Sequence, residues 1–403
     1  GDRFKVPPDF SGNGGLRWLG DEPQAYKRNY QLKSNDNEIA WRALVDLCAV
    51  LERTATEDLE RIVPQHLDVD GMLWFLAVDN ALGDDDGYHS RASDYSLYRD
   101  PHGRFHAIPR DNNEVLLGAR SGPRGGDPGA PRGGPGAGPG AGPGGRGGPP
   151  PDGPPGGPGA APGGRRGGPG PGGAVTSPLQ MASREDRPLL RRLLEVPAWK
   201  QRYLANLREL ATTALSPDVI GARIDRWQTL LEPFVKDDVH SLYGYDAFLR
   251  SFAKDETGKP APRSLMAIIA QRSTQTLADP AMQGQWPELA EPTTTAQLGS
   301  DGTYTLVVSC RVEGSKVVRL HSDRGAFGAF TAENMHDDGA HGDGSAGDGV
   351  YGALLPAIAA GETWRFWIEA TAADSGHVDC QPASNGARPF RWTAPKIKTG
   401  KRG

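Results

Sequence analysis

No apolar run in the 403 residues is long enough to span a bilayer, which takes about 20 consecutive residues. Three cysteines, Cys48, Cys310 and Cys380, are too few for a disulfide framework. With 45 Lys and Arg against 50 Asp and Glu there is no basic surplus, so nucleic acid is not expected as the main partner. No G-x-S-x-G elbow, H-E-x-x-H helix, Walker A loop or C-x-x-C pair occurs, which sets aside hydrolase, zinc-protease, P-loop and thiol-redox chemistry. No export signal is visible, and Gly1 stands where an initiator Met would, so a fragment or processed form is expected.

What is present is helical spacing as far as about residue 278. Ile39, Leu44, Leu47, Cys48 and Leu51 predict a helix over 37–54, with Cys48 in the core. A short helix over Thr56–Val63 is expected to stop at Pro64. Asp68 is then expected to cap an apolar helix, Val69–Leu82, with Met72, Leu73, Phe75, Leu76 and Val78 facing in. Residues 186–278 are read as helices again: Leu189 to Leu194, Ala198–Leu215 after Pro197, one started by Ser216-Pro217-Asp218, then Tyr245–Phe252 and Ser264–Leu277. Their apolar stripes, including Ile220, Ile224, Trp227, Leu230 and Leu231, are read as core.

Residues 118–174 form a Gly/Pro/Arg tract in which glycine does not recur at every third place, which excludes collagen. With few apolar residues the tract cannot offset its ordering entropy, and a disordered loop inserted in the first domain is expected. From about Glu291 the apolar period becomes two, as in Tyr304 to Val312 and Trp364 to Ala370. That alternation predicts an immunoglobulin- or fibronectin-like β-sandwich over 291–395, where Cys310 and Cys380 are candidates for a bridge. Between its strands Asp337, Asp338, Asp343 and Asp348 alternate with glycines; they either wrap calcium or make a series of turns, and the spacing is not that of an EF-hand.

The richest stretch is Leu82 to Leu116. Asp84, Asp85 and Asp86 lead into Gly87-Tyr88; a hairpin follows, Asp94–Tyr98 and Arg104–Ile108 about a turn at Asp100-Pro-His-Gly103; Asp111-Asn112-Asn113-Glu114 closes it. The hairpin carries its two acidic ends towards each other. Carboxylates gathered there repel unless a cation or proton intervenes, and hard oxygen ligands suit magnesium or calcium. Acids at the carboxyl end of the Val69–Leu82 helix also oppose its dipole.

On these motifs the chain resembles the CotH kinases, atypical protein kinases first known from spore coats. The matching pieces are Asp85-Asp86-Gly87-Tyr88, Arg91-Ala-Ser-Asp-Tyr-Ser-Leu-Tyr98, Gly103-Arg-Phe-His106, Ile108-Pro109, Asp111, Asn113 and Glu114. Gly15–Gly20, Tyr26-Lys27, Tyr30–Lys33, Leu67–Asp70 and Phe75–Ala77 extend the match over roughly residues 1–280. The resemblance implies an α+β fold: a CotH-like atypical protein kinase domain over 1–280, its amino-terminal lobe incomplete, followed by an all-β sandwich domain. It implies transfer of phosphate from ATP, with magnesium, to serine or threonine of coat or envelope proteins outside the cytoplasm. Asp86 would be the catalytic base, Asp111 and Asn113 the magnesium ligands, and Lys27, Lys33 and Arg91 the residues on the nucleotide, with Arg91 and Asp94 fixing the loop. Arg110 stands where the family often has His, and Gly83-Asp84 are more acidic than usual. These departures and the incomplete lobe keep a second reading open: a non-catalytic coat or envelope assembly or adhesion protein, its sandwich serving display.

Overall fold

The computed structural model describes residues 1–8, 13–34, 36–116, 177–324 and 330–396; the Gly/Pro/Arg tract expected to be a loop lies outside the described residues. In chain order the first region runs β1 (Asp2–Val6), β2 (Gln31–Leu32), α1 (Glu38–Arg53), α2 (Leu59–His66), α3 (Val69–Leu82), α4 (Tyr88–Arg91), β3 (Tyr95–Arg99) and β4 (Phe105–Pro109). The strands form an antiparallel sheet in the order β2-β1-β3-β4. Leu16-Arg-Trp-Leu19 forms no strand. The first strand is instead β1, where Phe4 and Val6 are buried and Arg3 and Lys5 take the alternate face.

Helix α1 is capped by Asn37, whose Oδ1 accepts the Ala40 N–H at 2.7 Å. Pro64 does not end α2, as expected, but lies inside it. Burial of Leu59, Val63 and Leu67 around the proline outweighs one missing backbone bond. Helix α3 starts at the Asp68 cap and ends at Gly83, which is left-handed at φ 60°.

After the tract come α5 (Pro188–Glu195), α6 (Pro197–Glu209), α7 (Pro217–Asp237), α8 (Gly244–Ser251) and α9 (Leu265–Ala278). The single helix expected over Ala198–Leu215 is instead α6 followed by a π-helical turn, Leu210–Ala214. There the Thr212 and Thr213 hydroxyls donate to the Arg208 and Glu209 carbonyls, competing with the regular ladder. The α7 stripe corrects a second expectation. Among its residues only Ile224 is buried, one turn after Gly221 where Met266 of α9 approaches, while Trp227, Leu230 and Leu231 are exposed.

The last region is a sandwich of two antiparallel sheets. One holds β5 (Glu288–Leu289), β6 (Thr293–Leu298), β7 (Tyr304–Glu313) and β10 (Val350–Ile358); the other holds β8 (Ser315–Asp323), β9 (Thr331–Asn334), β11 (Thr363–Ala372), β12 (Val378–Gln381) and β13 (Phe390–Thr393). Leu306, Val308, Leu320, Phe366 and Ile368 fill the space between them. Cys310 on β7 and Cys380 on β12 lie in different sheets and both are free thiols, so the expected candidate bridge is not formed.

The sandwich shares a buried polar layer with the helices. Arg202 of α6 donates from Nε to Glu369 of β11 at 2.6 Å and reaches Asp70 of α3 at 3.4 Å. Its guanidinium lies over the Trp367 ring, whose own plane stacks on His321 with centroids 3.8 Å apart. Nearby, Asn385 donates to Asn206 at 3.2 Å, and His377 stacks on Trp286 at 4.0 Å.

Candidate functional site

Helix α3 delivers the acidic loop. Arg272 of α9 donates to the Ala81 and Asn80 carbonyls at 2.7 and 2.5 Å, so a cation sits at the helix end where the following carboxylates would otherwise meet only negative dipole. Asp79, inside the apolar helix, turns its carboxylate towards the next turn of chain. It accepts the Tyr88 N–H at 3.2 Å and the His89 N–H at 2.9 Å, and lies 2.5 Å from His89 Nδ1. Gly87 is required at this point: a Cβ there would stand 2.1 Å from Asp79 Oδ1. Ser90 and Ser93 donate to the Asp84 and Asp86 carbonyls, both at 2.8 Å, which fixes the loop around Asp86.

The hairpin brings the second acidic group back. Tyr95 pairs with Pro109, so Asp94 and Arg110 flank the open end of the β3–β4 pair. At its other end His106 bridges Asp68 at 3.0 Å and Asp100 at 2.9 Å, tying β4 to the start of α3. The Asp68 hydrogen bond foremost, and that of Asp100, raise the His106 pKa against its burial. The Leu116 N–H donates to the Leu82 carbonyl at 2.9 Å and the Asp85 N–H to the Glu114 carbonyl at 3.2 Å, so residues 111–116 lie along the acidic loop. From beyond the tract, Arg187 donates to the Ser90 and His89 carbonyls at 2.6 and 3.3 Å.

The resulting cluster is short of cations. Asp84 accepts the Asp86 N–H and the Asn112 amide, at 3.4 and 3.0 Å. Asp86 and Asp94 are buried, and neither Asp86 Oδ1 nor either oxygen of Asp94 accepts a hydrogen bond of normal geometry. Burial first, then Asp84, Glu114 and Asp94, lift the Asp86 carboxyl to about 7. Burial and the facing Asp111 raise Asp94 as well, with the Ser93 hydroxyl first, then Arg110 and Lys5, acting against them. Arg91 stands 3.8 Å from Asp86 and 3.3 Å from Glu114; Arg110 stands 3.8 Å from Asp94 and 3.5 Å from Asp111. Backbone strain gathers here too: Ala92, Asp94, Asp111 and Leu116 all hold φ between 54° and 59°.

Asp86, Arg91, Asp94, Asp111 and Asn113 are thus brought into one group. Asp111 is half-exposed, and Asn113, with its amide nitrogen turned inward, donates to the Asp111 carbonyl and Oδ1 at 2.9 and 3.0 Å. Lys27 and Lys33 stand elsewhere: Lys27 lies 5.3 Å over the Trp41 ring, and Lys33 is exposed, its N–H bonded to the Arg3 carbonyl at 2.7 Å. Lys5 on β1 is the lysine that acts on Asp94. Sequence reasoning missed it and Asp79; their signals were the alternation Arg3-Phe4-Lys5-Val6 and an acid inside an apolar helix. Among the described residues no three His, Cys, Asp or Glu side chains converge closely enough to hold a metal ion.

The aspartates of the Asp/Gly loop are engaged with backbone. Asp343 accepts the N–H groups of Asp338, Gly339 and His341, and Asp337 those of Gly347, Asp348 and Gly349. Asp348 accepts from Ser345 and Val350, and Asp338 from Ala340. These are turn bonds, and they occupy oxygens that calcium would need.

Two family models match the chain. That of the CotH kinase protein covers residues 5–275, and that of the conditioned medium factor second Ig-like domain covers residues 299–374. No curated protein matches it.

Proposed function

Because the chain belongs to the CotH kinase family, with an Ig-like domain after it, we propose that it is an atypical protein kinase passing a phosphoryl group from ATP to protein serine or threonine hydroxyls. The observation that carries this reading is the crowding of buried carboxylates at Asp86 and Asp94, where Asp86 Oδ1 and both Asp94 oxygens accept no hydrogen bond of normal geometry. Phosphoryl transfer needs positioning and charge neutralisation more than covalent help.

Asp86 is the proton acceptor: a carboxyl lifted to about 7 works near neutral pH, and Ser93 and Asp79 hold its loop. Asp94, Asp111 and Asn113 would hold magnesium. That ion takes one or two protein carboxylates and fills its octahedron with phosphate oxygens and water, so a site without three converging acids suits it. Magnesium, when bound, would offset charge on the phosphate oxygens. Arg91 and Lys5 would meet the nucleotide phosphates, and Lys33 follows Gln31, the partner of Lys5 across β1–β2; Lys27 is placed for an outer contact only. Coat or envelope proteins outside the cytoplasm are the proposed substrates, and calcium on the Asp/Gly loop would have to displace its turn bonds.

The experiment is labelling by γ-labelled ATP and magnesium with the full-length product. Asp86→Asn and Asp111→Ala should each cut labelling by about 10²–10⁴-fold. Undiminished labelling in both would overturn the assignments of Asp86 and Asp111, and no labelling by the unmodified chain would favour a non-catalytic assembly or adhesion protein.

A further inference from the structure

Helices α7 and α8 form an arm that braces itself yet leaves one face uncovered. The Tyr245 hydroxyl donates to Glu232 at 2.5 Å, and Phe248 packs edge-on against Phe252 at 4.9 Å, so the inner side of the arm is satisfied. The outer side is apolar. Trp227, Leu230, Leu231 and Phe234 recur at helical spacing along one line, at exposures of 51%, 61%, 46% and 71%. Val239, Leu242 and Tyr243 extend the face into the α7–α8 turn and are more exposed still. At about 150–250 Å² for a fully exposed aromatic, Trp227, Phe234 and Tyr243 alone leave roughly 400 Å² outside. That already equals the largest apolar patch of an ordinary monomer, about 300–600 Å². The aliphatic residues carry it towards the roughly 800 Å² per partner of a standard interface.

Charge decides what covers it. Arg223 lies on the same line one turn before Trp227, and Asp238 lies one turn after Phe234, so the stripe is positive at one end and negative at the other. Neither residue has an ion-pair partner among the described residues. The stripe's midpoint falls between Leu230 and Leu231. Laid antiparallel on its own copy about that point, it sets Trp227 against Phe234, Leu230 against Leu231, and Arg223 against Asp238 at both ends. A two-fold interface demands this self-complementarity, in which residue i meets j and j meets i. A lipid surface fits worse, because the few arginines beside the stripe are balanced by Asp237 and Asp238 and offer anionic headgroups no net attraction.

We propose that two copies of this chain associate through the α7–α8 arm, with the two α7 helices antiparallel. The test is sedimentation equilibrium of the full chain at tens of micromolar. A dimer is expected, and Leu231→Glu should turn it into a monomer with an unchanged circular-dichroism spectrum. Arg223→Asp alone and Asp238→Arg alone each place like charges together twice and should weaken association by at least about tenfold, while the double exchange restores it. A chain that stays monomeric, including one that instead binds anionic vesicles, overturns the proposal. So does a dimer indifferent to Leu231→Glu, or a double exchange no better than the single ones.

Discussion

Replacing Arg202 by Met keeps the length of the side chain and removes its charge, so Asp70 and Glu369 are left buried together without a cation. The two acids respond to Arg202 in opposite directions. Glu369 is held down at about 2 against burial, with Arg202 the largest force lowering it, whereas Asp70 is raised by burial despite Arg202. Geometry explains the split, since Glu369 lies at 2.6 Å and Asp70 at 3.4 Å, and the nearer carboxylate takes most of the charge. Against an ordinary glutamate near 4.5, the Glu369 shift corresponds to roughly 3 kcal/mol. Breaking a buried pair by removing one member costs about 3–5 kcal/mol, which agrees. Since the folded pKa of Glu369 is depressed, its contribution is present above about 4.5 and fades as pH falls towards 2. Without Arg202 both buried carboxyls prefer their protons. The loss in Arg202→Met should therefore be full at pH 7 and shrink as pH falls to 4. Urea unfolding of the full chain at both values measures it, and Arg202→Met with Glu369→Gln should recover part of the loss. A loss of equal size at both pH values would refute the charge argument and leave only lost packing against Trp367.

Three further outcomes are open to measurement. Asp86 is raised in the fold, so its contribution is present below about 4 and lost as pH rises to about 7; Asp86→Asn should shift the urea midpoint upward at pH 8 and little at pH 4. An equal gain at both values would count against a buried, charge-crowded Asp86. Asp343→Ala strips three backbone N–H groups of their acceptor and should lower Tm in calcium and in chelator alike; a drop seen only with calcium would favour the calcium reading. Burial pushes the Cys310 thiol up to about 11 and the Cys380 thiol well above its ordinary value, so native protein should resist a thiol reagent that labels both once urea is added; rapid native labelling would contradict their burial.

Local signals carried much of this molecule. The Asp100-Pro-His-Gly103 turn fixed the β3–β4 register, apolar spacing from Leu44 to Leu51 marked α1, the Asp68 cap marked α3, and period-two alternation marked β7 and β11. The acidic group was legible because its members lie within one stretch of chain. Lys5 was not, since a five-residue strand before Pro7-Pro8 says nothing of pairing with β3, a partner some 90 residues on. Arg202 was equally hidden: on α6 it reads as a solvent-facing charge, and only Glu369, 167 residues later, makes it interior. The exposed α7 stripe failed for the complementary reason, because periodicity reports an apolar face and not what lies against it.

The hold of Arg187 on the Ser90 and His89 carbonyls has a consequence for the integrity of the chain. The acidic loop is built by residues before the Gly/Pro/Arg tract, and its floor is tied down by residues after it. Leu189 and its α5 neighbours, with the Leu189 N–H on the Tyr88 hydroxyl, bury themselves in the same core as α1 and α3. A peptide bond cut between residues 117 and 176 would therefore part the backbone without parting the two pieces. They would run as two bands when denatured and as one body when native.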